Sequence, residues 1–214
     1  MTDFVVIAYY TSGTGYEVEA RKLVASLEKW GVEYRVEAVP NLGSWQKNTH
    51  HKADFILGML DAAAGRGDLR PLVYVDADAI FHAFPALFGT LDCDAAFAWR
   101  DYSKFPSRTL KARQELLSGT IYFANNKSAR DIIHAWIAEN RKNPATWEQK
   151  NLQAVVQRMG ASLVLAELPP TYCKIFDIMR SVGPAVIEHY QKSRVYRREV
   201  DRRPPIRFKG MLQT

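Results

Sequence analysis

Phe4-Val5-Val6-Ile7-Ala8-Tyr9-Tyr10 is an unbroken apolar run of strand length, the pattern of a strand buried on both faces. Thr11-Ser12-Gly13-Thr14-Gly15 reads as a loop leading into a helix, with Thr14 and Glu17 at capping-box spacing. Val18, Leu23, Val24, Leu27 and Trp30 then recur at helical spacing, and Gly31 suits the stop. A second strand is expected at about Tyr34–Val39, so the chain opens as strand, helix, strand, an α/β beginning. A long helix follows from Ser44 to about Ala64, closed by Gly65-Arg66-Gly67. Beyond it, Pro71-Leu72-Val73-Tyr74-Val75 is again strand-like, as are Ala95–Trp99 and Gly119–Ala124. The pattern predicts helices over Ser128–Asn140, with Ser128 and Asp131 in capping positions, and over Thr146–Met159, closed by Gly160. Two late strands are expected at Ser162–Glu167 and Ala185–Glu188, and Asp101–Glu115, polar and weakly periodic, reads as an active-site loop.

With 214 residues, 47% of them hydrophobic and 24% charged, the chain fits one globular domain with a substantial core. No apolar run approaches membrane-spanning length, and Met1-Thr2-Asp3-Phe4 lacks the basic-then-apolar order of a secretory signal. Cys93 and Cys173 stand far apart without metal-type spacing and read as reduced thiols. The expected location is cytoplasmic, peripheral to a membrane if the charge distribution is used for docking. That distribution is uneven: the net charge of +6 equals the excess of eight basic over two acidic residues between Lys192 and Lys209. The expected division is a domain over residues 1–198 and a basic tail over 199–214, the tail facing an anionic surface. Pro204-Pro205 would make its far part an extended arm.

The first candidate chemistry is Asp76-Ala77-Asp78, at the C-terminal end of the strand-like run ending in Val75. Open α/β sheets bind ligands at that end of their strands. Two carboxylates one residue apart offer hard oxygen ligands to Mg²⁺ or Mn²⁺, ions that bridge carboxylates to substrate phosphates. A solvated turn is the plainer reading of a bare Asp-x-Asp. Here Ile80 and Phe81 resume the apolar pattern directly afterwards, which sets the acids between buried stretches.

Four later segments join them: Ser118-Gly119-Thr120-Ile121-Tyr122-Phe123-Ala124-Asn125, Trp147-Glu148-Gln149-Lys150-Asn151-Leu152, Leu168-Pro169-Pro170-Thr171-Tyr172 and Val186-Ile187-Glu188-His189-Tyr190-Gln191. In order and spacing the set resembles the GT-A nucleotide-sugar glycosyltransferases, especially the group containing glycogenin and the bacterial lipopolysaccharide galactosyl- and glucosyltransferases. The likeness runs from about Phe4 to Tyr196. It implies a GT-A fold, with a mixed central sheet flanked by helices, and transfer of a sugar from a UDP-sugar to a hydroxyl acceptor with retention. It also implies that Asp76, Asp78 and His189 hold a divalent cation, and an imidazole among the ligands suits Mn²⁺ better than Mg²⁺. Tyr9, Tyr10 and Thr11 would meet the base and ribose, with Asp76, Ser118 and Gly119 beside the donor. Glu148 and Gln149 would act on the donor sugar or acceptor.

The chain departs from that group in three places. Glu148 stands where the group commonly has Asp, and Thr171-Tyr172-Cys173 where Asn often follows the aromatic. No Lys-Pro-Trp run follows His189-Tyr190, so the diphosphate would fall to Lys192, Arg194 or Arg197, with Lys192 and Arg194 foremost. The acceptor implied is a glycan, a lipid-linked sugar or a protein; nucleic acid is not indicated, and the oligomeric state is not encoded legibly. Two other readings compete: a haloacid-dehalogenase-like phosphohydrolase, for which Ile80 is a poor motif match, and a non-catalytic nucleotide-sugar or glycan binder on the same fold.

Overall fold

The computed structural model describes residues 2–101 and 114–202. The first strand, β1 (Val5–Thr11), is buried almost throughout, as its two-sided apolar run requires. It leads into α1 (Tyr16–Lys29), whose end is turned by Gly31 at φ +63°, a left-handed conformation that glycine adopts without strain. Thr14 and Glu17 do not form the expected capping box: the Thr14 hydroxyl donates to Thr11 O, and the Glu17 carboxylate accepts from Gly13 N–H at 2.5 Å. The strand β2 (Tyr34–Val39) alternates in burial because it lies at the sheet edge. Next comes α2 (Trp45–Gly65), capped by the Ser44 hydroxyl, which accepts from Lys47 N–H.

The remaining elements in chain order are β3 (Leu72–Val75), β4 (Ala79–Phe81), β5 (Ala95–Asp101), β6 (Gln114–Phe123), α3 (Lys127–Lys142), α4 (Glu148–Met159), β7 (Leu165–Leu168), β8 (Lys174–Ile175), β9 (Ile187–His189) and α5 (Ser193–Arg202). The α3 cap is the Asn126 side chain rather than Ser128 or Asp131. The late strands begin two or three residues later than the pattern placed them and end one residue later. The expected active-site loop lies largely at residues 102–113, and the Pro204-Pro205 arm beyond 202, outside the described residues.

Six strands form a mixed sheet in the order β2-β1-β3-β6-β5-β7. The β1–β2, β1–β3 and β5–β7 pairs are parallel, while β6 runs antiparallel to both β3 and β5. Helices α2, α3 and α4 cover one face, where Ile7, Ile56, Leu60, Ile133 and Trp136 are fully buried. Each fully buried Ile or Leu contributes roughly 2 kcal/mol. On the other face, α1 and the small sheet β4-β9-β8 pack against Val6, Val73 and Tyr122. Among the described residues, no helix is long and apolar enough to cross a membrane.

Candidate metal centre and active site

The C-terminal ends of β1 and β3 open into a cavity of about 290 Å³, at the lower edge of the range of small-ligand sites. Three segments distant in sequence meet at its floor. Asp76 leaves β3 with its N–H donating to Gly119 O at 2.9 Å, which ties the acid to β6. Asp78 immediately precedes β4, and antiparallel pairing of β4 with β9 sets Ala79 opposite His189. That register delivers the imidazole to the carboxylates.

The donor atoms of Asp76, Asp78 and His189 lie within 4.8 Å of one another. His189 Nε2 is 2.8 Å from the Thr120 hydroxyl, whereas Nδ1, 4.0 Å from Asp78 Oδ1, is the buried side-chain polar atom without a hydrogen-bond partner among the described residues. Burial holds His189 down at about 4, so the ring is neutral near pH 7. A proton on Nε2, facing Thr120, would leave the Nδ1 lone pair turned toward the two carboxylates. A buried acceptor in that position fits a metal ion, and the Thr120 contact is the kind of outer support that fixes a ligating histidine. Gly119 makes the room: a Cβ there would come within 3.0 Å of His189 Cε1 and 3.1 Å of Nδ1.

The two acids differ. Asp78 is buried and its carboxyl is raised to about 7, by burial first and by the Asp76 charge second, with the Lys192 backbone N–H, 2.6 Å from Oδ2, opposing the shift. Asp76 is more open, and its Oδ1 receives Lys52 Nζ at 3.0 Å and the Tyr74 hydroxyl at 3.1 Å. A cation between the two would relieve their repulsion.

Lys52 was not singled out by the sequence pattern. On α2 it shares the buried face with Asn48, Phe55, Ile56 and Met59, and an ammonium in that stripe is the signal that marks it. Its Nζ donates to Glu148 Oε1 at 2.8 Å, to the Ser118 hydroxyl at 3.2 Å and to Ser118 O at 3.1 Å. Burial pulls its proton affinity down, but Asp76 and Glu148 outweigh burial and hold it well above the ordinary lysine value. The Glu148 carboxylate is fully engaged: Oε1 accepts from Lys52 and from Ser118 Oγ, and Oε2 from Gln149 N–H. Gln149 Oε1 accepts from Ser118 N–H at 3.0 Å, and its amide nitrogen donates to Glu115 at 3.2 Å. Ser118, Gly119, Glu148 and Gln149 are thus brought to one wall of the cavity.

Tyr9, Tyr10 and Thr11 also line the cavity. Tyr9 is buried against Phe55 and Tyr74, its hydroxyl donating to Asn48 O, so its ring belongs to the core as well. The Lys192 and Arg194 side chains are not among the lining: the first faces Glu19 at 3.6 Å and the second pairs with Asp177. Lys192 meets the site through its backbone instead. From there α5 lies over the loop after β1, with the Tyr196 ring against Gly15 and the buried Val200 lining the cavity. The boundary expected between residues 198 and 199 falls inside this helix.

No family model matches the chain, and no curated protein matches it in sequence. Among solved structures it is similar to a glycosyltransferase involved in the glycosylation of the major capsid of PBCV-1, at 16% identity and TM-score 0.64 over 92% of this chain and 96% of that one. It is also similar to the glycosyltransferase GlyE of Streptococcus pneumoniae TIGR4, at 14% and 0.58, spanning about half (55%) of that chain. A third is the galactosyltransferase LgtC, solved with donor and acceptor sugar analogs, at 9% and 0.56 over 87% of each chain. At these identities the likeness establishes the fold, which is the GT-A type of nucleotide-sugar glycosyltransferases.

Proposed function

We propose that the chain is a metal-dependent hexosyltransferase that moves a sugar from a nucleoside-diphosphate sugar, a UDP-sugar in particular, to a hydroxyl acceptor with retention. The observation that carries this reading is the unpartnered Nδ1 of His189 beside Asp76 and Asp78, on the floor of a cavity in a GT-A fold. Asp76, Asp78 and His189 would hold the cation, and their mixed oxygen and nitrogen donors suit Mn²⁺. When bound, the cation supplies Lewis-acid neutralisation of the charge on the departing diphosphate.

In the reaction the bond from the anomeric carbon to the diphosphate oxygen breaks, a bond to the acceptor oxygen forms, and the acceptor proton leaves on the diphosphate. The Lys192 backbone N–H keeps Asp78 aimed, and Thr120 keeps His189 in its tautomer. Ser118 and Gly119 flank the donor sugar. Glu148, its oxygens occupied, positions Lys52 and Ser118, and Gln149 completes that wall. Two free cysteines, Cys93 and Cys173, support a cytoplasmic location.

Calorimetry of UDP binding with Mn²⁺ and with EDTA tests the assignment. Binding should depend on the metal, and Asp78→Asn should remove that dependence and slow transfer by about two to three orders of magnitude. Equal affinity in Mn²⁺ and EDTA would falsify it. Donor hydrolysis in the absence of acceptor separates a transferase from a non-catalytic binder on the same fold.

A further inference from the structure

Two indoles stand at the rim of the cavity on the side built by the N-termini of α2 and α4. Trp45 and Trp147 both line it, with ring centroids 6.4 Å apart and planes inclined by 42°. Trp147 is 37% exposed, although it sits at the cap position of α4 and contributes no side-chain cap. An indole left open in that way gives up burial the fold would otherwise gain.

Its placement is nonetheless rigid. Thr146 O accepts from Gln46 Nε2 at 3.1 Å and from His50 Nε2 at 2.8 Å, and Glu148 O accepts from the buried Trp136 indole at 3.0 Å. The carbonyls on either side of Trp147 are therefore pinned to α2 and α3. Trp45 is braced by the Arg197 guanidinium, 4.7 Å from its ring. Next to Trp147 the lining is polar: Gln149 and Glu115, joined at 3.2 Å, with Arg100 opposite Glu115 in the β5–β6 register.

From this geometry we infer that Trp147, backed by Trp45, is the platform for the acceptor, and that the acceptor is a saccharide rather than a lipid alcohol. A pyranose carries C–H bonds on its face and hydroxyls around its edge. A fixed aromatic face bordered by amide, carboxylate and guanidinium groups complements both. A lipid chain would need a continuous apolar wall, which this border interrupts. Trp147 directly precedes Glu148 and Gln149, so a ring lying on it stands one residue outward from the wall of the donor-sugar position. The inference rests on the glycosyltransferase reading and narrows its acceptor.

The test uses the full chain with UDP and Mn²⁺ and a panel of free saccharides: methyl α- and β-glucosides and galactosides, lactose, maltose and cellobiose. Saturation-transfer NMR should show magnetisation passing from aromatic protons to ring C–H groups of at least one panel member. Trp147→Ala should weaken that saccharide about tenfold or more while UDP affinity is kept, and Trp147→Phe should recover most of the loss. Saccharide binding unchanged in Trp147→Ala overturns the inference. So does a wild-type protein that binds UDP with Mn²⁺ but no panel saccharide, while a serine or tyrosine peptide or a long-chain alcohol accepts sugar. Absence of UDP binding in the wild type would instead remove the glycosyltransferase reading and, with it, this one.

Discussion

Lys52 is an ammonium at 3% side-chain exposure, stable there because Asp76 at 3.0 Å and Glu148 at 2.8 Å meet it and Ser118 takes its remaining hydrogen bonds. Removing one member of a buried ion pair leaves the other charge desolvated and unmatched, which costs about 3–5 kcal/mol. Lys52→Met should therefore lower the melting temperature by about 10 °C in the metal-free protein. Lys52→Met with Glu148→Met should melt above the single variant, because the stranded Glu148 carboxylate is gone as well. Scanning calorimetry of the three proteins decides it. A single variant melting within about 2 °C of wild type would show that Lys52 carries no such load. The residue escaped the sequence pattern for a physical reason: a lysine on a helix is ordinarily solvated, and its depth here is set by Glu148, 96 positions away. Trp45, Trp147 and Val200 were hidden likewise, since only the meeting of α2, α4 and α5 makes them neighbours.

Among elements, the long strands and helices were legible because they bury a continuous run or a periodic stripe, as β1, β3 and α4 do. The small sheet was legible only in β9, expected as a strand at Ala185–Glu188 and found at Ile187–His189. Strands β4 and β8 have three and two residues, too few for a period to show, yet the β4–β9 pairing is what carries His189 to Asp78. Helix α5 was masked by its charge: six of its ten residues are ionic, so its inward side is one half-buried tyrosine and one buried valine. That side is closely fitted to the loop after β1. A Cβ on Gly15 would lie 2.2 Å from the Tyr196 ring, an overlap that requires the ring or the helix to move. Gly15→Ala should loosen α5, and trypsin should then cut after Arg197 or Arg198 about tenfold faster, since local opening exposes the sites. In a Tyr196→Ala background the same change should add little, because the clash and its relief share one contact. Cleavage of Gly15→Ala at the wild-type rate would show that α5 is not held by this fit.

At the scale of the whole molecule, the excess of positive charge between Lys192 and Lys209 falls in two parts, one within the described residues and one beyond Arg202. Within α5 and just before it the charges are used internally: Lys192 faces Glu19 at 3.6 Å, Arg194 pairs with Asp177, and Arg197 lies over Trp45. The helix also closes one side of the cavity. Val200 is 1% exposed, its carbonyl accepts from Asn41 at 3.0 Å, and the Asp201 carboxylate accepts from Trp45 N–H at 2.7 Å. A chain ending at Arg202 keeps all of these and loses only Arg203, Arg207 and Lys209 from the basic set. It should melt within about 2 °C of the full chain and bind UDP with the same affinity. A chain ending at Glu199 loses the buried valine and both hydrogen bonds, together about 3 kcal/mol, so it should melt about 5–10 °C lower and bind UDP more weakly. The charge beyond Arg202 is then tested alone, by sedimentation with anionic liposomes. If it docks the protein on an anionic surface, the full chain should bind at low salt and release as exposed charges are screened over about 8 Å near physiological ionic strength, while the chain ending at Arg202 should not bind. Equal melting and UDP affinity in the chain ending at Glu199 would return α5 to the status of a dispensable tail; liposome binding by the chain ending at Arg202 would place the docking charge on the domain itself.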